Sequence, residues 1–142
     1  MPVAIWRDEY KTGIAAIDAQ HQLLFEAINR MEAAFRDGTE DQEARESLLF
    51  LAHYTREHFA TEEAFMREIG YPMLSFHREE HTELVAKIHD LLVKLDEDLT
   101  VPSHMANFAA HMANFVADWL AHHINEADMG YVQFARERPS GA

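Results

Sequence analysis

The sequence predicts an all-α fold, an up-down-up-down four-helix bundle with an N-terminal arm. Over four long segments, apolar residues recur at the three- and four-residue spacing of amphipathic helices. Glycine, proline and polar residues separate these segments, and no segment shows the alternation of apolar and polar residues that is typical of strands. Because short connections join long helices, each helix is expected to run antiparallel to the next.

The length and composition indicate one domain. The chain has 142 residues and 48% of them are apolar, which suffices for one core but not for two ordinary domains. Residues 1–17 show no sustained periodicity of apolar residues, and Gly13 interrupts them. We therefore divide the single domain, residues 1–142, into an N-terminal arm over 1–17, a helix bundle over 18–129 and a C-terminal tail over 130–142.

Residues that commonly end or begin helices separate the four segments. The stretch DGTEDQ lies between the first helix and the second, and Gly70 with Pro72 ends the second. Pro102 precedes the fourth helix. The expected spans are Asp18–Arg36 for the first helix, from the DGTEDQ stretch to Glu68 for the second, 74–98 for the third and 104–128 for the fourth.

The charge balance and the lack of cysteine limit the classes of function. With 12 basic and 25 acidic residues, the formal charge of −13 argues against nucleic acid or an anionic membrane as a partner, since both attract basic surfaces. The sequence contains no cysteine, so disulfides, thiolate metal sites and iron–sulfur clusters are excluded. Any metal must therefore be bound by nitrogen and oxygen.

No targeting or membrane-spanning segment is predicted. The first ten residues, MPVAIWRDEY, lack the apolar region of a signal peptide. No run of about 18 apolar residues exists, so no membrane insertion is expected. We expect a cytoplasmic protein, and the strong charge without an obvious exposed apolar patch favours a monomer.

Ten histidines are the unusual feature of the composition. At about 100° per residue, half of them fall on the apolar face of a predicted helix. A charged carboxylate on such a face is costly unless it is paired or bound to a cation. A single buried histidine is ordinary in a core, but histidines on the inner faces of four helices favour a shared binding site. The inward set is His21, His58, His77, His81 and His123, together with Glu62.

The other histidines point away from these faces. By the same angular test, each lies about 100–140° from the inward histidine of its own helix. We predict that they are surface or flanking residues: His53, His89, His104, His111 and His122.

The inward set has too many nitrogen ligands for one metal ion. A catalytic zinc usually has three protein ligands and a water, whereas this set offers five imidazoles. Imidazole and carboxylate without thiolate fit iron, manganese or zinc. If two carboxylates and one oxygen atom bridge two six-coordinate ions, the five imidazoles leave one position open for a small ligand.

The second carboxylate has two candidates in the fourth helix. Glu126 lies about 60° from His123 on a regular helix, and Asp128 lies about 140° away. Helical geometry alone therefore favours Glu126, and the residues by themselves leave the choice open.

Four stretches of this sequence resemble the hemerythrin family, in particular its single-domain bacterial members, the bacteriohemerythrins. The order and spacing of these stretches on four helices are specific, and the resemblance covers about residues 6–130. The matching stretches are IDAQH ending at His21, HFATEE from His58, HREEH from His77, and WLAHHINEAD from Trp119 to Asp128.

The resemblance implies a non-haem di-iron centre in a four-helix bundle that binds O2 reversibly. The family motif HIxxxD selects Asp128 rather than Glu126. The implied cofactor is two iron ions bridged by Glu62, by Asp128 and by an oxo or hydroxo group. One ion would have the three histidines His77, His81 and His123, and the other would have His21, His58 and the open position. The implied metal ligands are His21, His58, Glu62, His77, His81, His123 and Asp128.

Apolar residues within one helical turn of these ligands are candidates for an O2 pocket. An apolar lining would admit O2 and exclude water, although apolar residues at these positions are also expected from ordinary core packing. The candidates are Leu24, Phe25, Phe59, Trp119, Leu120 and Ile124.

The predicted function is therefore O2 binding without catalysis, as a carrier, store or delivery protein, with O2 as ligand and a recipient protein that the sequence does not identify. The alternatives are a di-iron oxidase or peroxidase, an O2 or redox sensor, and a structural zinc or manganese site. Ferritin-like di-iron enzymes use more carboxylates, so the nitrogen-rich ligand set favours reversible binding.

Overall fold

The computed structural model describes residues 3–36, 41–98 and 102–137, and it confirms the all-α fold. A short 3-10 turn at Asp8–Tyr10 precedes four long helices, and a π-helical turn joins the fourth to a short fifth helix. The helices are α1, Ala15–Arg36; α2, Asp41–Glu68; α3, Leu74–Asp98; α4, Pro102–His123; and α5, Met129–Glu137, with the π-helical turn at Ile124–Asp128.

The four long helices form a closed ring. Each packs on the next one in the chain, and α4 packs back on α1, as expected for an up-down-up-down bundle. The expected connections at 37–40 and 99–101 lie outside the described residues. None of the described helices has a stretch that is both long and apolar enough to cross a membrane.

The arm ends earlier than the sequence pattern indicated, because α1 begins at Ala15. The Asp18 carboxylate, in the first turn of α1, accepts hydrogen bonds from the Thr12 backbone N–H and hydroxyl, both at 2.8 Å, and from the Gly13 N–H at 3.2 Å. Gly13 has a φ of 83°, a left-handed conformation that residues with side chains rarely adopt. This turn allows the helix to start directly after Ile14.

The expected C-terminal tail is wrong for most of its length. Residues 129–137 form α5, and Tyr131 and Val132 on this helix are buried. The tail was predicted because the last residues of the chain are mostly polar, and the apolar Tyr131 and Val132 were given too little weight. Residues 138–142 of the expected tail lie outside the described residues. The fourth helix also starts at Pro102 rather than at 104, in keeping with the preference of proline for the first helical position.

Two apolar clusters fill the bundle, and a polar layer separates them. The larger cluster includes Leu24, Phe59 and Leu84, whereas the smaller includes Ile17 and Met66. In α1 and α2 the inward histidines lie between members of the two clusters, as His21 does between Ile17 and Leu24. Residues that face inward on several helices at one level therefore meet inside the core.

Candidate metal centre

The structure brings all seven predicted ligands together in the polar layer. They come from α1, α2, α3, the end of α4 and the π-helical turn, and none is more than 3% exposed. Four of the histidines predicted to lie outside the site, His53, His89, His111 and His122, are exposed, as expected. The side chain of the fifth, His104, is outside the described residues.

The ligand atoms form two groups. One group, the three-histidine group, contains His77, His81, His123 and Asp128. The other, the two-histidine group, contains His21, His58 and Glu62. Within each group, one nitrogen or oxygen atom from every residue lies within 4.8 Å of the others, which is close enough for a shared ion. The partition matches the one that the family resemblance implied.

Asp128 connects the two groups. Its Oδ1 lies 2.9 Å from Nε2 of His77 and 3.1 Å from Nε2 of His123. Its Oδ2 lies 3.2 Å from Nε2 of His21, in the other group. One carboxylate therefore faces both candidate metal positions.

Glu62 also contacts both groups through one oxygen. Its Oε1 lies 2.6 Å from Nε2 of His58 and 3.9 Å from Nε2 of His21. The same oxygen is 3.8 Å from Nε2 of His81 in the three-histidine group. The other oxygen, Oε2, accepts a hydrogen bond from the Tyr131 hydroxyl at 2.7 Å.

The π-helical turn explains why Asp128 faces the centre and Glu126 does not. A π-helical turn needs one more residue than an α-helical turn, because its hydrogen bonds join residues i and i+5. Asp128 follows His123 by that interval and is fully buried, while Glu126 is exposed. The angle from a regular helix favoured the wrong residue, since the helix is not regular at this point.

Outer contacts set the tautomers of two inward histidines. Nδ1 of His58 donates to Gln20 Oε1 at 2.7 Å, and Nδ1 of His81 donates to Glu63 Oε2 at 2.8 Å. Because these oxygens accept, the proton is on Nδ1 and the Nε2 lone pair faces the centre. Neither partner was predicted from the sequence, although Gln20 precedes His21 and Glu63 follows Glu62 in the chain.

The hydrogen-bonding state of the buried atoms fits bound cations. Eight buried nitrogen and oxygen atoms make no hydrogen bond with any described residue, although several lie close together. An unpaired buried polar group costs about 1–3 kcal/mol, so a cluster of them requires another partner. Imidazole nitrogen and carboxylate oxygen are suitable ligands for a divalent transition metal. Six of these atoms lie close to one another at the centre: Nε2 of His21, His58 and His77, Oε1 of Glu62, and Oδ1 and Oδ2 of Asp128. The other two are Nδ1 of His21 and Nδ1 of His123, on the opposite sides of their rings.

The pKa values of the metal-free centre show the same need for positive charge. Burial lowers the pKa of His21, but the nearby Asp128 and Glu62 outweigh it and raise that pKa to about 9. Burial raises the pKa of Asp128, yet contacts with three histidines hold it well below its usual value. By contrast, burial and two neighbouring histidines lower the pKa of His81 to about 3, against the effect of Glu62. Without metal, a proton on His21 supplies part of the charge that cations would provide.

Aromatic rings cover the three-histidine group. Phe59 stacks on the His81 imidazole, with ring centroids 3.7 Å apart, and Trp119 stacks on His123 at 4.5 Å. Phe25 packs against the Trp6 ring of the arm at 5.5 Å. Five of the predicted pocket residues, Leu24, Phe25, Phe59, Leu120 and Ile124, are buried, and Trp119 is partly buried against the same cluster. Their assignment to an O2 pocket remains a prediction.

Tyr131 is a third residue near the centre, after Gln20 and Glu63, that was not predicted from the sequence. It lies on α5, in the segment that was expected to be a tail, and its hydroxyl reaches Glu62. A sequence signal was present, because Tyr131 follows Asp128 by one helical turn and shares its side of the chain.

Comparison with known proteins identifies the family. Residues 12–135 match the family model described as the hemerythrin HHE cation binding domain. A bacteriohemerythrin of Pseudomonas aeruginosa is 30% identical over 136 residues, which cover 96% of this chain and 84% of that protein. A bacteriohemerythrin of Clostridium acetobutylicum is 30% identical over 135 residues, covering 90% and 98%.

Two further matches extend the comparison. The myohemerythrin of Riftia pachyptila is 33% identical over 132 residues, covering 89% of each protein. A crystal structure of a leucine-to-phenylalanine mutant is similar with a TM-score of 0.79 and 27% identity, covering 94% of this chain and 97% of that chain. The family match spans most of the chain and includes every residue of the two ligand groups. This chain therefore belongs to the hemerythrin family.

Proposed function

We propose that this chain binds two iron ions, one in each ligand group, and binds O2 reversibly at them. The position of Asp128 is the observation that carries the proposal. Its two oxygens lie 2.9 Å from His77 Nε2 and 3.2 Å from His21 Nε2, so they face different groups. A carboxylate placed in this way suits a bridge between two ions rather than a ligand to one.

The unequal groups support one open coordination position. Three imidazoles and the Asp128 carboxylate belong to one group, while the other has two imidazoles and Glu62. If both ions have the same coordination number, the two-histidine group is the less complete one. We therefore assign O2 binding to the ion in the two-histidine group.

The protein residues orient the ligands and exclude water. Bound iron would supply the reversible binding of O2. The Nδ1 contacts of His58 and His81 direct Nε2 of each imidazole toward the centre. Phe59 and Trp119 stack on His81 and His123, so they would exclude water from the three-histidine side of the centre. These roles need no acid or base side chain that changes its protonation at each cycle.

The proposal is tested by O2 titration of the ferrous protein. Protein loaded anaerobically with iron should be nearly colourless. It should gain a visible charge-transfer band on oxygenation, and lose the band when O2 is removed. Repeated cycles should consume no reductant. Iron per chain, measured on the same sample, relates the band to the number of ions.

The other outcomes separate the alternative functions. Continuous consumption of O2 or peroxide with a reductant would indicate a di-iron oxidase or peroxidase. A band that appears once and does not reverse would contradict reversible binding and favour a redox sensor. Protein that takes up zinc or manganese in preference to iron, and stays colourless, would contradict the choice of metal.

A further inference from the structure

The hydroxyl group of Tyr131 reaches the candidate centre from outside the four long helices. The side chain is fully buried, and its hydroxyl donates to Glu62 Oε2 at 2.7 Å. We propose that Tyr131 is a positioning residue that sets the rotation of the Glu62 carboxylate, so that Oε1 faces the two-histidine group. The proposal rests on the proposed function for the assignment of Glu62 as a ligand, but the position of the carboxylate can be tested without metal.

The two oxygens of Glu62 have different surroundings. Oε1 lies 2.6 Å from His58 Nε2 and makes no hydrogen bond with a described residue, which leaves it available to a cation. Oε2 is bound by the Tyr131 hydroxyl. The terminal torsion of a glutamate is broad, with no sharply preferred angle, so the side-chain rotamer does not define where each oxygen points. A hydrogen bond to one oxygen provides that restraint.

Tyr131 is itself held in place by its packing. Its ring lies 5.6 Å from both the Phe65 ring and the His77 ring, and 6.4 Å from the Tyr71 ring. Next to it, Gly130 allows the close approach of Tyr71, since a Cβ at this position would lie 2.6 Å from the Tyr71 hydroxyl oxygen. The position of the Tyr131 hydroxyl is therefore determined by the packing of α5 against the end of the bundle.

The chemistry of the pair defines which group donates. A phenol hydroxyl can donate a hydrogen bond, whereas an ionised carboxylate can only accept. The Tyr131 hydroxyl therefore donates and Glu62 Oε2 accepts.

A simpler explanation of the contact is that the buried Tyr131 hydroxyl needs a hydrogen-bond partner and finds one in Glu62. Buried tyrosines usually find a hydrogen-bond partner somewhere. Here the partner is the charged carboxylate of the candidate centre, and the bond joins α5 to α2. The two explanations differ in what happens to Glu62 when the hydroxyl is removed.

The test compares Tyr131→Phe with Tyr71→Phe. Both variants lose one hydroxyl from the same aromatic cluster, but only Tyr131 contacts Glu62. The first measurement is the infrared carboxylate stretch of Glu62 in metal-free protein, assigned by its loss in Glu62→Gln. We expect Tyr131→Phe to shift this band, Tyr71→Phe to leave it unchanged, and Tyr131→Phe to have no such effect in the Glu62→Gln background. A shift shows that the Tyr131 hydroxyl bonds Glu62 in solution, and the metal affinity then shows whether this bond orients the carboxylate.

The second measurement is a titration with Co2+. Loss of an outer partner of a metal ligand typically weakens affinity 10–100-fold, so we expect Tyr131→Phe to weaken the more weakly bound ion by about tenfold. An unchanged carboxylate band would overturn the proposal, as would unchanged affinities for both ions. If the unmutated protein binds no Co2+ or iron but the band still shifts, the proposed function fails while the hydrogen bond from Tyr131 to Glu62 stands.

Discussion

The three-histidine group and the two-histidine group differ in how firmly the protein holds them. In the three-histidine group, two imidazoles stack on aromatic rings, and Nδ1 of His81 bonds Glu63 at 2.8 Å. Nδ1 of His123 lies 3.3 Å from a Glu80 carboxylate oxygen without a hydrogen bond. In the two-histidine group, His58 has an outward partner, but Nδ1 of His21 makes no hydrogen bond with a described residue. The group with more ligands is also the group with more outward restraints.

This asymmetry gives the two groups separate tasks in the proposed function. A filled and restrained set of ligands suits an ion that keeps its coordination, whereas an incomplete set suits an ion that gains and loses a small ligand. Asp128 belongs to both sets, so changes to it should affect both ions. Replacing a single histidine should weaken metal binding mainly in the group to which that histidine belongs.

The largest effect is expected for Asp128→Ala. This change removes the carboxylate that contacts His21, His77 and His123 and should prevent binding of both ions. Removing one partner from a buried charged pair typically costs about 3–5 kcal/mol, so we expect a loss of this order in the free energy of unfolding. Metal analysis and chemical denaturation measure the two effects.

Glu126→Gln is the matched control, because Glu126 lies in the same π-helical turn and is exposed. It should keep both ions and the unfolding free energy of the unmutated protein. Metal loss in Glu126→Gln together with retention in Asp128→Ala would show that the regular-helix angle was the better guide.

The next effect is expected for His77→Ala and His123→Ala, which each remove one imidazole from the three-histidine group. Iron should fall from about two ions per chain to about one, with a lower melting temperature because metal binding stabilises the folded state. Both side chains are 3% exposed, so the change also leaves a gap in the core. Full iron occupancy in both variants would refute the assignment of these ligands.

His58→Ala tests the other group. It leaves this group with one imidazole, so we expect loss of its ion and of O2 binding, while the three-histidine group keeps its ion. The control is His53→Ala on the same helix, since His53 is exposed and pairs with Glu57 at 3.1 Å on the surface. O2 binding that survives in His58→Ala would place the open position elsewhere.

The smallest predicted effect is the dependence of metal affinity on pH. A ligand histidine must be neutral, and the raised pKa of about 9 keeps His21 protonated in metal-free protein at neutral pH. Affinity for Co2+ should therefore rise as the pH increases from 6.5 to 9, by at most about tenfold per pH unit for each proton released. His123 adds to this trend because its pKa is also raised, against the effect of burial, whereas His81 is already neutral. An affinity that stays constant over this range would contradict the protonation of His21.

The sequence predicted the bundle and most of the centre because both follow from regular helical periodicity. His21, His58 and Glu62 were found from the apolar faces on which they lie, and the structure brings them into one buried group. The boundary at Ala15 was missed because the Thr12–Asp18 hydrogen bonds depend on a turn that periodicity does not describe.

The C-terminal region was predicted less well because the chain departs from the regular α-helix there. The π-helical turn moves Asp128 to the inner face, and only the family spacing pointed to that residue. The contact of Tyr131 with Glu62 depends on the packing of α5, and this helix was not predicted because the end of the sequence is polar. Contacts such as that of Glu63 with His81 join different helices, so no spacing within one helix predicts them.

The most direct test of the two-ion centre is an anomalous difference map at the iron edge, from crystals of protein loaded with iron. We expect two iron peaks inside the bundle, one beside His77, His81 and His123 and the other beside His21 and His58, with Asp128 between them. A single peak, or peaks on the surface away from Asp128, would contradict a two-ion centre.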